Sequence, residues 1–165
     1  MKKYLPEVCS TLNELNNLVN ISFLNEGYSD EQKYILTTSD GIKYLLRLSK
    51  PKDLKRKFDE QEKMLQCFSL GVKCSEPIRY GLTSDKECFY SLLSWINGSD
   101  GVKTIRELSK NDQFDVGVKS GKDLKLINSI KSDSTVVCWS DRFLSKHKLY
   151  YEIYREGRKT PMPLG

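Results

Sequence analysis

The order in which strand-like and helix-like segments follow one another most constrains this 165-residue chain. A helical spacing of apolar residues over Pro6 to Val19 comes first. Three short β-rich runs follow, then a helix from Asp53 to Leu70 that ends at Gly71, two more β-rich runs, a glycine linker and further helices. The pair Asp40-Gly41 between two β-rich runs indicates a hairpin. The pattern predicts an α+β fold whose five-stranded antiparallel sheet carries one inserted helix.

The same pattern divides the chain into parts. The strands are expected at 21–24, 33–37, 43–48, 78–82 and 88–93. The run from Asn97 to Gly101 is the clearest linker, and beyond it the pattern becomes helical, with a last helix from about Thr135 to Tyr154. We therefore expect a sheet-containing domain over 1–96, a hinge over 97–103 and a helical segment over 104–165.

Composition excludes several classes of protein. Hydrophobic residues make up 38% and charged residues 30% of the chain, as in ordinary globular proteins. No apolar stretch is long enough for a membrane span, and no apolar core follows Lys2 and Lys3 as a signal peptide would need. The five cysteines are odd in number and lack metal-ligand spacing, and His147 is the single histidine. We expect free thiols in the cytoplasm, no metal-ligating residues and no membrane partner.

The net charge of +5 raises the question of nucleic acid. The densest basic run lies between Lys50 and Lys57, at the start of the predicted helix, and a solvated helix face is its simplest interpretation. No aromatic residues are interleaved with it, as base stacking would require. The sequence therefore predicts no nucleic-acid partner, whereas an anionic ligand such as a nucleotide is compatible with the charge.

Four stretches share their order and spacing with a known family. They are Glu26 to Tyr34, Lys43 to Leu48, Leu92 to Gly98, and Asp115 to Ile130. Together they resemble the aminoglycoside phosphotransferase and choline-kinase-like family, which has a protein-kinase-like fold. The resemblance implies a kinase-like amino-terminal lobe over 1–96, followed by the first helices of a helical carboxy-terminal lobe.

The resemblance also implies which residues hold the nucleotide. Gly27, which tolerates positive φ, and Ser29 would lie over the phosphates, although a plain surface turn is the alternative. Arg47 would reach the phosphates from the third strand. An arginine inside a strand needs a partner to offset its desolvation, unless its head lies in solvent at a sheet edge. Many members of the family have lysine at this position.

Two further assignments complete the expected nucleotide site. A carboxylate on the helix after the third strand is the expected partner of Arg47, with Glu60 preferred and Glu62 the alternative. The backbone carbonyl and N–H of Ser94 and Ile96 would pair with the adenine edge.

The resemblance implies phosphoryl transfer from ATP or GTP, with Mg²⁺, to a hydroxyl of a small molecule. That chemistry needs an H-x-D-x-x-x-x-N loop, which this sequence lacks, so we assign no catalytic residues. We therefore expect a truncated relative that holds nucleotide but is inactive alone, its small hydroxylated substrate belonging to the full-length relative. The alternative is a non-catalytic nucleotide- or partner-binding module.

Overall fold

The computed structural model describes residues 1–25, 27, 29–131 and 138–155. The chain divides into two compact units, with the boundary after Ile130. The first unit contains the sheet and the helices around it, and the described part of the second contains one helix. The expected domain limits at residues 96 and 103 remain predictions.

A five-stranded antiparallel sheet forms the centre of the first unit within the described residues. Its spatial order is β1-β2-β3-β5-β4, and helix α2 connects β3 to β4. The strands are β1 (Leu18–Leu24), β2 (Gln32–Thr38), β3 (Lys43–Ser49), β4 (Pro77–Leu82) and β5 (Phe89–Ser94). The predicted sheet with one inserted helix is confirmed, and each strand lies within three residues of its expected limits.

The first helix is shorter than its apolar spacing predicts. Helix α1 spans Leu5–Thr11, Leu12 is extended, and one turn of 3-10 helix covers Asn13–Leu15. The prediction of a helix continuing to Val19 was wrong because β1 begins at Leu18, which pairs with Thr38. Pairing with β2 in the folded sheet overrides the local helical pattern there.

One face of the sheet, here called the apolar face, carries the main hydrophobic core. Residues that alternate along the strands point to this face and pack under α1 and the segment after it. The core contains Tyr4, Val8, Leu12, Leu15, Tyr34, Leu36, Leu46, Leu48, Cys88 and Leu92. The positions expected inside the first helix are therefore buried, although the backbone there is only partly helical.

The opposite face, here called the charged face, is covered in part by α2 (Leu54–Ser69). Asp53 caps this helix by accepting a hydrogen bond from the N–H of Arg56 at 3.3 Å, and Gly71 follows its end with φ +85°. Phe58 packs edge-on against Phe89 of β5, with ring centroids 5.4 Å apart. The predicted helix and its glycine stop are thus confirmed to within a residue.

The side chain that α2 buries deepest is polar. Gln61 is buried and accepts a hydrogen bond of 2.6 Å from the Ser91 hydroxyl, whereas Leu65 and Phe68 remain exposed. These two apolar side chains of α2 therefore lie outside the core. At Gln61 the sheet surface beneath α2 offers the Ser91 hydroxyl, so a polar side chain is buried at this position.

The remaining helices follow the glycine-rich linker. Helix α3 spans Gly101–Thr104, and α4 spans Lys110–Ser129 with Ser109 as its cap. In the second unit α5 spans Trp139–Arg155. The predicted start of that helix at Thr135 lies outside the described residues. Among the residues that are described, no helix is both long and apolar enough to cross a membrane.

Candidate functional site

Arg47 lies in the middle of β3 and points to the charged face. It is paired in register with Lys33 of β2 on one side and with Ser91 of β5 on the other. Its side chain is 22% exposed, so its guanidinium is largely removed from water. The alternative of an arginine with its head in solvent does not describe this position.

The partner of Arg47 on α2 is the one preferred from the sequence. Arg47 Nη2 lies 3.8 Å from Glu60 Oε1, so the strand arginine and the helix carboxylate form an ion pair. Glu62 instead lines a groove of about 590 Å³ that also contains Leu65 and Ile130. The Glu60 carboxylate is 41% exposed, and its contact with Arg47 is therefore loose and solvated.

The closest partner of Arg47 is a residue that the sequence did not indicate. Arg47 Nη2 lies 2.5 Å from Glu31 Oε2, and Arg47 Nε donates a hydrogen bond of 2.7 Å to the same oxygen. Glu31 stands one residue before β2 and is 11% exposed. It is 16 positions from Arg47, so no helical spacing connects the two residues.

Lys57 of α2 completes the cluster. Its Nζ donates a hydrogen bond to Glu31 Oε1, the carboxylate oxygen that Arg47 does not contact. The Lys57 side chain is 13% exposed, whereas Lys50, Lys52, Lys55 and Arg56 are exposed. The interpretation of the basic run as a solvated face therefore holds for those four residues and is wrong for Lys57. A sequence clue existed, because Lys57 lies three residues before Glu60 and shares its side of the helix.

The electrostatics of the cluster favour an ionised carboxylate. Burial opposes the charge on Glu31, but the hydrogen bond from Lys57 and the charge and hydrogen bond of Arg47 outweigh it. The pKa of Glu31 is therefore lower than its ordinary value. At neutral pH the cluster contains two cations and two carboxylates, with Glu31 bridging the cations.

Next to the cluster the charged face becomes apolar. Ile35, Leu45 and Leu93 lie directly across from one another on β2, β3 and β5, two positions along from the row that contains Arg47. Leu93 is buried, and the other two are half-buried. An apolar row beside a guanidinium is suited to a ligand with a flat apolar part and an anionic part.

The turn before β2 lies next to this cluster in the chain. Gly27 has φ +91°, a conformation that glycine adopts without strain. Gly27 and Ser29 are both exposed. A side chain at Gly27 would lie 3.2 Å from Lys33 Nζ, so that lysine reaches back to the turn. Glu26 and Tyr28, which belong to the same expected phosphate turn, lie outside the described residues.

The expected adenine-binding segment begins at the end of β5. Ser94 is tied to the start of β4, because its N–H donates to the Glu76 carbonyl at 2.9 Å and its hydroxyl accepts from the Glu76 N–H at 2.8 Å. Ile96 is exposed just beyond the sheet. An open cavity of about 570 Å³ here is lined by Ser94, Trp95, Asn97 and the 41–44 segment.

Comparisons with known proteins add no assignment, since no protein-family model and no curated protein matches this chain. Two half-buried cations that share one carboxylate, beside a glycine turn and an apolar row, form an arrangement able to bind an anion. Within the described residues no group of three His, Cys, Asp or Glu side chains gathers as a metal site.

Proposed function

We propose that residues 1–96 form a kinase-like nucleotide-binding lobe of the aminoglycoside phosphotransferase type, and that Arg47 binds the phosphates of ATP or GTP. The ion pair between Arg47 of β3 and Glu60 of α2 carries this proposal. In protein kinases a basic residue on the third strand pairs with a glutamate on the following helix, and that pair positions the nucleotide phosphates. The two residues here occupy the same places relative to the sheet and the inserted helix.

The surroundings of Arg47 support the same ligand. In this proposal the half-buried side chains of Ile35 and Leu45 contact the purine, and backbone groups of Ser94 and Ile96 pair with its edge. In this proposal the backbone N–H of Gly27, a residue with positive φ and no side chain, would donate to a phosphate oxygen. In this proposal Mg²⁺ arrives bound to the nucleotide phosphates.

The proposed activity of this chain is binding and not phosphoryl transfer. Transfer in this family needs an aspartate that accepts the substrate proton and an asparagine that helps to hold the metal, within the H-x-D-x-x-x-x-N motif. His147, the single histidine, is followed by Lys148 and Leu149, so that motif is absent from the 165 residues. We therefore expect no phosphorylated kanamycin or choline when the chain is incubated with MgATP, and product formation would contradict this assignment.

A calorimetric titration with MgATP tests the binding proposal. Arg47→Met should weaken binding about tenfold or more, because a charge-assisted contact to phosphate is lost. Arg79→Met is the matched control, since Arg79 also pairs with a glutamate, at 2.9 Å from Glu14, but its side chain is 61% exposed. Adenosine, which lacks phosphates, should not distinguish Arg47→Met from the unmodified chain. Equal losses in the two variants, or no saturable binding to the unmodified chain, would refute the proposal.

A partner-binding module is the second candidate, and the exposure of α4 favours it. This helix buries none of its residues, and Phe114, Leu124 and Ile127 are all exposed. An apolar helix surface of this kind is typical of a protein-binding site. Size-exclusion chromatography with light scattering tests this second candidate function. We expect a monomer or an assembly of defined mass, and a heterogeneous aggregate would contradict the candidate.

A further inference from the structure

Glu31 occupies the position between Arg47 and Lys57 that an anionic ligand of these two cations would need. Each of its carboxylate oxygens is used by one cation, Oε2 by Arg47 and Oε1 by Lys57. Glu60, the carboxylate expected to be the partner of Arg47, is farther away at 3.8 Å and more exposed. The principal anion on Arg47 therefore comes from the segment between the Gly27 turn and β2.

A carboxylate and a phosphate bind the same N–H donors of an arginine. Both accept two N–H bonds from one edge of the guanidinium, so one group cannot bind that edge while the other holds it. Arg47 already gives Nε and Nη2 to Glu31. A phosphate that approaches the charged face must therefore either bind Arg47 from elsewhere or take the place of Glu31.

We propose that Glu31 is an internal competitor for the nucleotide phosphates, holding Arg47 and Lys57 in the ligand-free chain until a phosphate group replaces it on both cations. This inference rests on the proposed nucleotide binding and adds Lys57 to the site. It gives Glu31 a role opposite to that of Glu60, since Glu60 positions Arg47 for the ligand and Glu31 withholds it.

The location of Glu31 allows this exchange. It lies outside the regular strand, one residue before β2, and four residues after Gly27 with its positive φ. A rotation of the Glu31 side chain toward solvent frees both cations without breaking the pairing of β2 with β3. The charge of the two cations stays compensated, because one anion leaves as another arrives.

The exchange predicts selectivity for polyphosphates. A triphosphate carries several negative charges and can engage Arg47, Lys57 and Lys33, which is paired with Arg47 across the strands. A monophosphate offers little advantage over the carboxylate already in place. The preference for ATP over AMP should therefore depend on Glu31.

Glu31→Gln, with Glu14→Gln as its matched control, tests the inference by calorimetry with ATP, AMP and inorganic tripolyphosphate. Each variant removes one negative charge from an ion pair with an arginine, so a general charge effect would appear in both. We expect Glu31→Gln to bind ATP and tripolyphosphate about fivefold or more tightly than the unmodified chain, and Glu14→Gln to change binding less than about twofold. Adding Lys57→Met to Glu31→Gln should abolish the gain.

A second measurement uses the unmodified chain, so it does not depend on the variants folding. The carboxyl carbon resonance of Glu31 can be followed by NMR against pH. When tripolyphosphate is bound, the pKa of Glu31 should lie nearer the ordinary glutamate value, because the carboxylate has left both cations. An unchanged Glu31 titration, or weaker binding by Glu31→Gln, would overturn the competitor role. The proposed function would survive that result if ATP binding still depends on Arg47. If neither the unmodified chain nor any variant binds ATP, both the competitor role and the proposed function are overturned.

Discussion

The two faces of the sheet differ in the contacts that they make with the helices covering them. The apolar face is closed by α1 over fully buried leucines such as Leu36, Leu46 and Leu92. The charged face is covered by α2 through the packing of Phe58 on Phe89 and through polar contacts, namely Gln61 with Ser91 and the cluster of Arg47, Glu31 and Lys57. The strands are the same on both sides, so the difference comes from alternate side chains of one sequence.

This difference separates stability from binding. Burial of apolar side chains supplies most of the free energy of folding, whereas partly buried ion pairs contribute little net stability. A cluster that contributes little to folding can exchange its partners for a ligand. The comparison therefore predicts that changes on the apolar face alter unfolding and that changes to the cluster of Arg47, Glu31 and Lys57 chiefly alter binding.

The largest effect should come from Leu46→Ala on the apolar face. Leu46 is fully buried, and its truncation leaves a cavity, so the free energy of unfolding should fall by about 2–5 kcal/mol. Urea denaturation measures the change. Val19→Ala, at an exposed position of β1 in the same sheet, is the control and should cost far less. A similar loss in both variants would remove the proposed difference between the faces.

A smaller effect is expected from the polar contact under α2. Ser91→Ala leaves the buried Gln61 amide oxygen without its hydrogen bond, which should cost about 1–3 kcal/mol. Gln61→Leu alone leaves the Ser91 hydroxyl without that partner. The double variant should be more stable than the sum of the two single losses implies, as a denaturation double-mutant cycle would show. Strict additivity would mean that the hydrogen bond contributes no coupling.

A backbone effect of roughly 1 kcal/mol is expected at the turn before β2. Gly27→Ala places a side chain at φ +91°, with its Cβ 3.2 Å from Lys33 Nζ. Gly98→Ala is the control, since no atom lies within 4 Å of a Cβ there. Thermal unfolding compares the two variants. A loss at Gly98 as large as that at Gly27 would show that chain flexibility, and not the turn geometry, sets the cost.

The smallest effect should be the dependence of stability on the charge of Glu31. Its folded-state pKa is lowered, so its contribution is present above the unfolded value and is lost as pH falls through the folded value. The charged groups that face Glu31 are Arg47 and Lys57, and Glu60 contacts Arg47 from α2. The stability difference between the unmodified chain and Glu31→Gln should therefore shrink in acid. A difference that is constant from pH 6 to pH 3 would contradict the ion-pair account.

Local signals predicted most of the fold and part of the site. The Asp40-Gly41 hairpin, the glycine after α2 and the five strands were all readable, because turn chemistry and β-rich runs act over a few residues. The end of the first helix could not be predicted from local signals, because the pairing of Leu18 with Thr38 decides where β1 begins. Within the site, the pairing of Arg47 with Glu60 was predicted from the family resemblance, but Glu31 and Lys57 were missed.

By itself the sequence determined that the chain forms a five-stranded antiparallel sheet with one inserted helix, and that an arginine lies inside its third strand. Only the tertiary structure decided which charges meet that arginine. Glu31 is 16 residues from Arg47 and 26 from Lys57, and no periodicity of helix or strand reaches across such separations. Strand register and the docking of α2 bring the three side chains together, so that Glu31 contacts both cations.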